Sequence, residues 1–154
     1  MTEPYRVRRV LVPVDGSEFS RFAAQYAVRL AAAQGSDVVF LHVMDREIIS
    51  ALTQRGTVSE IAVRQQLMEN AQVYLQDAAR LAEEAGVPHR EEVHEGDPAA
   101  AILDAAARMS ADLVVMGRLG RRGARRMLMG SITQRVIECG DRAILVINGP
   151  PPEG

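Results

Sequence analysis

Four residues with fixed spacing carry the strongest chemical signal in the 154-residue chain: Gly117, Gly120, Gly130 and Ser131, arranged Gly-x2-Gly-x9-Gly-Ser. They follow an apolar run, Leu113-Val114-Val115-Met116, and precede a helix-like stretch beginning at Ile132. A strand, a glycine-punctuated loop and a helix start can together cradle an anion. Glycine lets backbone N–H groups come close, and the first turn of a helix leaves further N–H groups without carbonyl partners. Arg118, Arg121, Arg122, Arg125 and Arg126 lie in or beside this loop. A solvated charge run is the default for such residues, and phosphate clamping by one or two of them is the sharper alternative.

The other chemistry-bearing residues say less. Asp15-Gly16-Ser17 closes an apolar run and is by itself an ordinary strand-to-helix turn. His42 falls inside an apolar strand pattern and is expected in the core, whereas His94 near the end of a weaker strand could approach a neighbouring loop. Met44, Met127 and Met129 are expected to fill gaps around the loops. Cys139, the only cysteine, excludes an internal disulfide and is expected to be a buried structural thiol. All 18 basic residues are arginine. The missing lysine excludes Schiff-base chemistry and a lysine-bearing phosphate loop. No Ser-His-Asp constellation or metal cluster is evident.

These residues must be positioned by alternating strands and helices. Apolar runs at Val10–Val14, Val38–Val43, Leu113–Met116 and Ala143–Ile147, with a weaker one at Arg90–His94, predict five strands. Continuous β-branched runs imply burial on both faces, hence a parallel sheet with crossover helices. Ser17 and Gly35 bracket one helix, Ser59 and Gly86 a longer one, Asp97-Pro98 opens a third, and Gly130-Ser131 and Gly140 bound the last. Residues 44–58 lack a period and read as a mobile connection. The chain is expected to be one domain spanning 1–154, with its core at about 6–148 and a flexible tail at 149–154. In such a sheet, ligands collect where strand order reverses. The ends of the first and fourth strands, Pro13-Val14-Asp15 and Met116-Gly117, would then face one crevice. The dozen or so residues between Gly117 and Ser131 also exceed the about 2–6 usual for a strand-to-helix loop.

Composition narrows the alternatives. With 20 acidic against 18 basic residues the net charge is −2, which argues against a nucleic-acid binder. No apolar run approaches membrane-spanning length and the N-terminus lacks a signal-peptide core, so a cytoplasmic protein without membrane insertion is expected. A flavodoxin-like flavin carrier would place its phosphate loop after the first strand, where Asp15 and Glu18 put negative charge.

The glycine spacing resembles the ATP motif of the universal stress protein family in its nucleotide-binding branch. Val10 to Ser17, Leu41-His42-Val43, Glu95-Gly96-Asp97-Pro98 and Ala111 to Gly117 are similar to family segments in family order. The resemblance implies a Rossmann-like, adenine nucleotide alpha hydrolase-like sheet of five parallel strands in the order 3-2-1-4-5, with helices on both faces. It implies an adenine and ribose pocket at Pro13, Val14, Asp15 and Val43, with Met116 and Gly117 as the far wall. Phosphates would rest on Gly117, Arg118, Gly120, Gly130, Ser131 and Ile132, and Mg2+ or Mn2+ would be held mainly through the phosphates. The implied role is an ATP-binding stress-response regulator passing its occupancy to a partner protein. A slow ATPase or autophosphorylating enzyme and a partner module with a vestigial site are the alternatives. The last strand, residues 142–147, is expected at a sheet edge as a homodimer interface. Ala143 stands there where the family usually has proline.

Overall fold

The computed structural model describes residues 2–121 and 128–153. Five strands form one parallel sheet: β1 (Arg9–Pro13), β2 (Asp37–Asp45), β3 (His89–Gly96), β4 (Leu113–Gly117) and β5 (Ala143–Ile147). Their spatial order is β3-β2-β1-β4-β5, as the family resemblance implies. Among the described residues, five helices connect them: α1 (Glu18–Gln34), α2 (Arg46–Gln54), α3 (Glu60–Ala85), α4 (Pro98–Arg108) and α5 (Ser131–Cys139).

Alternate strand residues feed opposite faces of the sheet. Val10, Val12, Val38, Phe40 and Val115 pack under α1 and α3, against Ala23, Ala24, Ala27, Leu75 and Ala78. Leu11, Val39, Leu41, Val114 and Met116 pack under α4 and α5, against Ala99, Ile102, Ala105 and Val136. The alanine-rich inner face of α1 brings its backbone close to the sheet. The buried stretches of the central strands, Val10–Val12, Val38–Leu41 and Leu113–Met116, are apolar because helices cover both their faces.

Helix ends follow their cap residues. The Ser17 hydroxyl accepts from Ser20 N–H at 3.1 Å, and Asp97 Oδ2 accepts from Ala100 N–H at 3.0 Å ahead of Pro98. Gly35 and Gly86 close α1 and α3 in the left-handed conformation.

Two expectations are corrected. Residues 44–58 are not a structureless connection: β2 runs on to Asp45, whose Oδ1 accepts from Glu47 N–H at 2.9 Å and caps α2. The nine-residue α2 buries Ile49 alone, so too few inward positions recur to give a period. Cys139 is exposed, not buried. The inward positions of α5 are Thr133 and Val136, and its last residue turns outward. The terminal segment lies beside α1, where Arg29 Nη1 donates to the Pro152 carbonyl at 2.8 Å.

Candidate nucleotide-binding site

At the reversal point, the β1–α1 turn and the β4–α5 loop enclose a cavity of about 380 Å3. This lies within the usual range for small-molecule sites, about 300–1,000 Å3. Pro13, Val14, Asp15, Val43, Met116, Gly117, Gly120, Gly130, Ser131 and Ile132 all line it. Arg118, the remaining expected site residue, does not. Its backbone N–H donates to the Ile147 carbonyl at 2.9 Å, and its guanidinium lies 5.3 Å from the Phe19 ring centroid and donates to Leu128 O. Arg122, Arg125, Arg126 and Met127 fall outside the described residues.

The glycine loop is pinned at its base. Gly130 N–H donates to the Arg118 carbonyl at 2.8 Å, and the buried Thr133 hydroxyl donates to the Gly117 carbonyl at 2.9 Å. Each glycine clears a different neighbour. A Cβ at Gly117 would meet the Phe19 backbone at 2.7 Å, one at Gly120 would meet Asp15 Oδ2 at 2.8 Å, and one at Gly130 would meet the Arg118 carbonyl and Gly120 N at 3.4 Å. Gly130 is the N-cap of α5 and supplies no side-chain hydrogen bond. Helix geometry leaves the N–H groups of Ser131, Ile132 and Thr133 without intrahelical carbonyls, and the residues that bear them line the cavity.

Asp15 joins the two loops. Its Oδ1 accepts from Ser17 N–H at 2.9 Å, which shapes the turn at Gly16, and its Oδ2 accepts from Arg121 N–H at 3.1 Å. Both carboxylate oxygens are thus engaged by backbone donors. The lining also includes apolar Val43, Met44, Ile48 and Leu67, together with Asn70 and Tyr74.

Several lining residues carry little signal in the sequence. His42 is half-buried, not a plain core residue. Its Nδ1 lies 2.7 Å from the Val14 carbonyl, so Nδ1 carries the proton, and its ring meets Tyr74 edge-on at 5.5 Å. Leu67, Asn70 and Tyr74 share one face of α3 at three- and four-residue steps, a pattern that reads equally as core. At the mouth, Arg135 Nη1 pairs with Asp97 Oδ1 at 3.0 Å. That pairing, with the Ala100 N–H, holds the Asp97 carboxyl below its ordinary range. His94 instead joins Glu92 at 2.9 Å, a contact that lowers the Glu92 carboxyl. Among the described residues no group of three or more His, Cys, Asp or Glu side chains could hold a metal ion.

An open parallel sheet with a glycine loop and an uncapped helix at its reversal point defines a class of ligand-binding α/β protein. The family model for the universal stress protein family matches residues 6–148, and the chain belongs to that family. It is 34% identical over 149 residues to universal stress protein MJ0531 of Methanocaldococcus jannaschii, covering 95% of this chain and 85% of that protein. The solved structure of MJ0577 from the same organism superposes with a TM-score of 0.82 at 23% identity, covering 97% of this chain and 100% of the other. A universal stress protein solved in complex with cAMP matches at a TM-score of 0.68 and 21% identity, over 94% of this chain and 98% of that one. One from Archaeoglobus fulgidus in complex with dAMP matches at 0.68 and 19%, over 92% and 98%. At these identities the solved structures establish the shared fold. Among the described residues no helix is long and apolar enough to cross a membrane.

Proposed function

We propose that this protein binds ATP in the β1/β4 crevice and acts as a regulator whose occupancy is read by a partner protein. The uncapped first turn of α5 carries the reading, because it opens onto a cavity whose lining also includes apolar Val43, Met44, Ile48 and Leu67. A polyphosphate suits the first and a purine base the second. The two relatives solved with adenine nucleotides support the choice of base. In this reading Pro13, Val14, Asp15 and Val43 flank adenine and ribose, while Gly120, Ser131 and Ile132 meet the phosphates. Mg2+ or Mn2+ enters with the nucleotide and is held by its phosphates, in keeping with how Mg2+ keeps most of its ligands outside the protein. Arg118 is dropped as a backbone donor, since its N–H is already given to Ile147.

A sensing role fits better than turnover. Asp15 reaches the glycine loop, and each of its oxygens accepts a backbone N–H, which gives this carboxylate a structural use in shaping the turn and tying the loop. Slow hydrolysis or autophosphorylation is the second reading, favoured by Arg121 and Arg135 in the cavity lining. The protein is read as a cytoplasmic homodimer joined through residues 142–147. β5 is a sheet edge with Leu145 37% exposed, and such an edge invites antiparallel pairing. Light scattering that detected only monomer at micromolar concentration would refute the dimer.

Displacement of a fluorescent ATP analogue by unlabelled ATP tests the binding reading. Saturable displacement is expected, and none at millimolar ATP contradicts it. Phosphate release by protein free of contaminating ATPases separates sensing from turnover.

A further inference from the structure

Two arginines line the cavity among the described residues, and their partners differ in kind. Arg135 is held by the carboxylate of Asp97, so moving it to another anion exchanges one charged pair for another. Arg121 is held by a neutral group: its Nη1 donates to the Tyr74 hydroxyl, and its guanidinium lies 5.3 Å from the centre of the Tyr74 ring. A bond to a neutral phenol is weaker than one to a phosphate oxygen. Arg121 therefore gains by transfer where Arg135 does not.

The surroundings anchor the Arg121 backbone and the Tyr74 ring. Arg121 N–H is anchored to Asp15 Oδ2, which holds its backbone beside Gly120. Tyr74 is braced as well. Its ring occupies the space over Gly16, where a Cβ would lie 2.7 Å from Cδ1 and Cζ, and His42 meets it edge-on. Gly16 at φ +80° thus serves both the turn and the seat for this ring. The pair joins α3 to the glycine loop across the cavity.

We propose that Tyr74 and Arg121 form a latch in which Tyr74 parks the guanidinium while the site is empty, and Arg121 swings to the polyphosphate when nucleotide binds. This rests on the nucleotide reading above and adds to it a residue that responds to phosphate. Release of Tyr74 is the local change that occupancy imposes on α3.

Three binding measurements test it. Arg121→Gln should weaken ATP about tenfold or more, the scale of one charged hydrogen bond, and leave adenosine unchanged. Tyr74→Phe keeps the ring over Gly16 but loses the acceptor, so ATP should bind about fivefold more tightly, again with adenosine unchanged. The chain has three tyrosines and no tryptophan, so tyrosine emission is readable. Inorganic tripolyphosphate, which has no base to stack, should change that emission in the wild type but not in either variant. An unchanged ATP affinity in Arg121→Gln, or weakened ATP binding in Tyr74→Phe, overturns the latch while leaving the site intact. Failure of the wild type to bind either ATP or adenosine overturns the nucleotide reading itself, and the latch with it. Matching thermal midpoints establish that both variants are folded.

Discussion

Gly117 lies so close to α1 that a Cβ at this position would sit 2.7 Å from the carbonyl carbon and Cβ of Phe19. The first glycine of the spacing motif is thus a packing residue, set where a helix backbone crosses the end of β4. Phosphate approach alone would not require it.

Gly117→Ala is therefore predicted to destabilise the fold by about 1–3 kcal/mol, as overpacking does. Urea denaturation measures it. Loss of ligand in this variant would follow from distortion of the β4 end. A variant as stable as the wild type would contradict the packing role.

Gly120 has a different neighbour and a different expected phenotype. Its added Cβ would meet the Asp15 carboxylate, the end of a side chain that can turn away. Gly120→Ala should cost less than about 1 kcal/mol in stability, since only the Asp15 to Arg121 N–H bond is lost. Nucleotide affinity should fall because the two loops are no longer tied. Denaturation and titration of the same preparation give both numbers.

At Gly130 binding and stability should move apart. The residue has φ −69° and ψ 151°, which any L-residue adopts, and it caps α5 without a side chain. Aspartate there can accept from the first-turn N–H groups, so Gly130→Asp should hold or raise stability by about 0.5 kcal/mol. It also puts negative charge where the phosphates would rest, and ATP binding should be lost. Gly130→Ala should bind within a few-fold of the wild type. Equal losses in both variants would mean that crowding, not charge, controls the site.

Acid stability should depend on Asp112. Its Oδ2 accepts from Arg8 N–H at 2.8 Å and Arg9 N–H at 3.0 Å, which tie the chain entering β1 to the start of β4. These bonds hold the carboxyl below its ordinary value of 3.8. A folded pKa below the unfolded one gives stability that is present above the unfolded pKa and lost as pH falls through the folded one. Asp112→Asn should cost about 1 kcal/mol at neutral pH and flatten the loss of stability below about pH 4. Denaturation midpoints across that range, in parallel for both proteins, provide the check.

What could be read in the sequence follows from how each element is buried. β1, β2, β4 and β5 are apolar runs and stand out. β3, His89–Gly96, is weak because an edge strand with exposed Arg90 and Glu91 need not be apolar. α1 and α3 announce their ends through Ser17, Gly35, Ser59 and Gly86, whereas α2 buries one residue and leaves no period. The crevice between Asp15 and the glycine loop was visible because both are turn-rich and unusually placed. Tyr74 was not, because on α3 it falls among core positions and only the tertiary fold sets it over Gly16. The separate tasks of Gly117 and Gly120 depend on Phe19 and Asp15, neighbours distant in sequence.

The central claim is that the crevice holds ATP. Isothermal titration of the wild-type protein with Mg·ATP tests it most directly, with Gly130→Asp run as the folded control. The account predicts saturable heat with one nucleotide per chain in the wild type and none in the variant. Absence of binding to the wild type at millimolar nucleotide, or equal binding by both proteins, would contradict it.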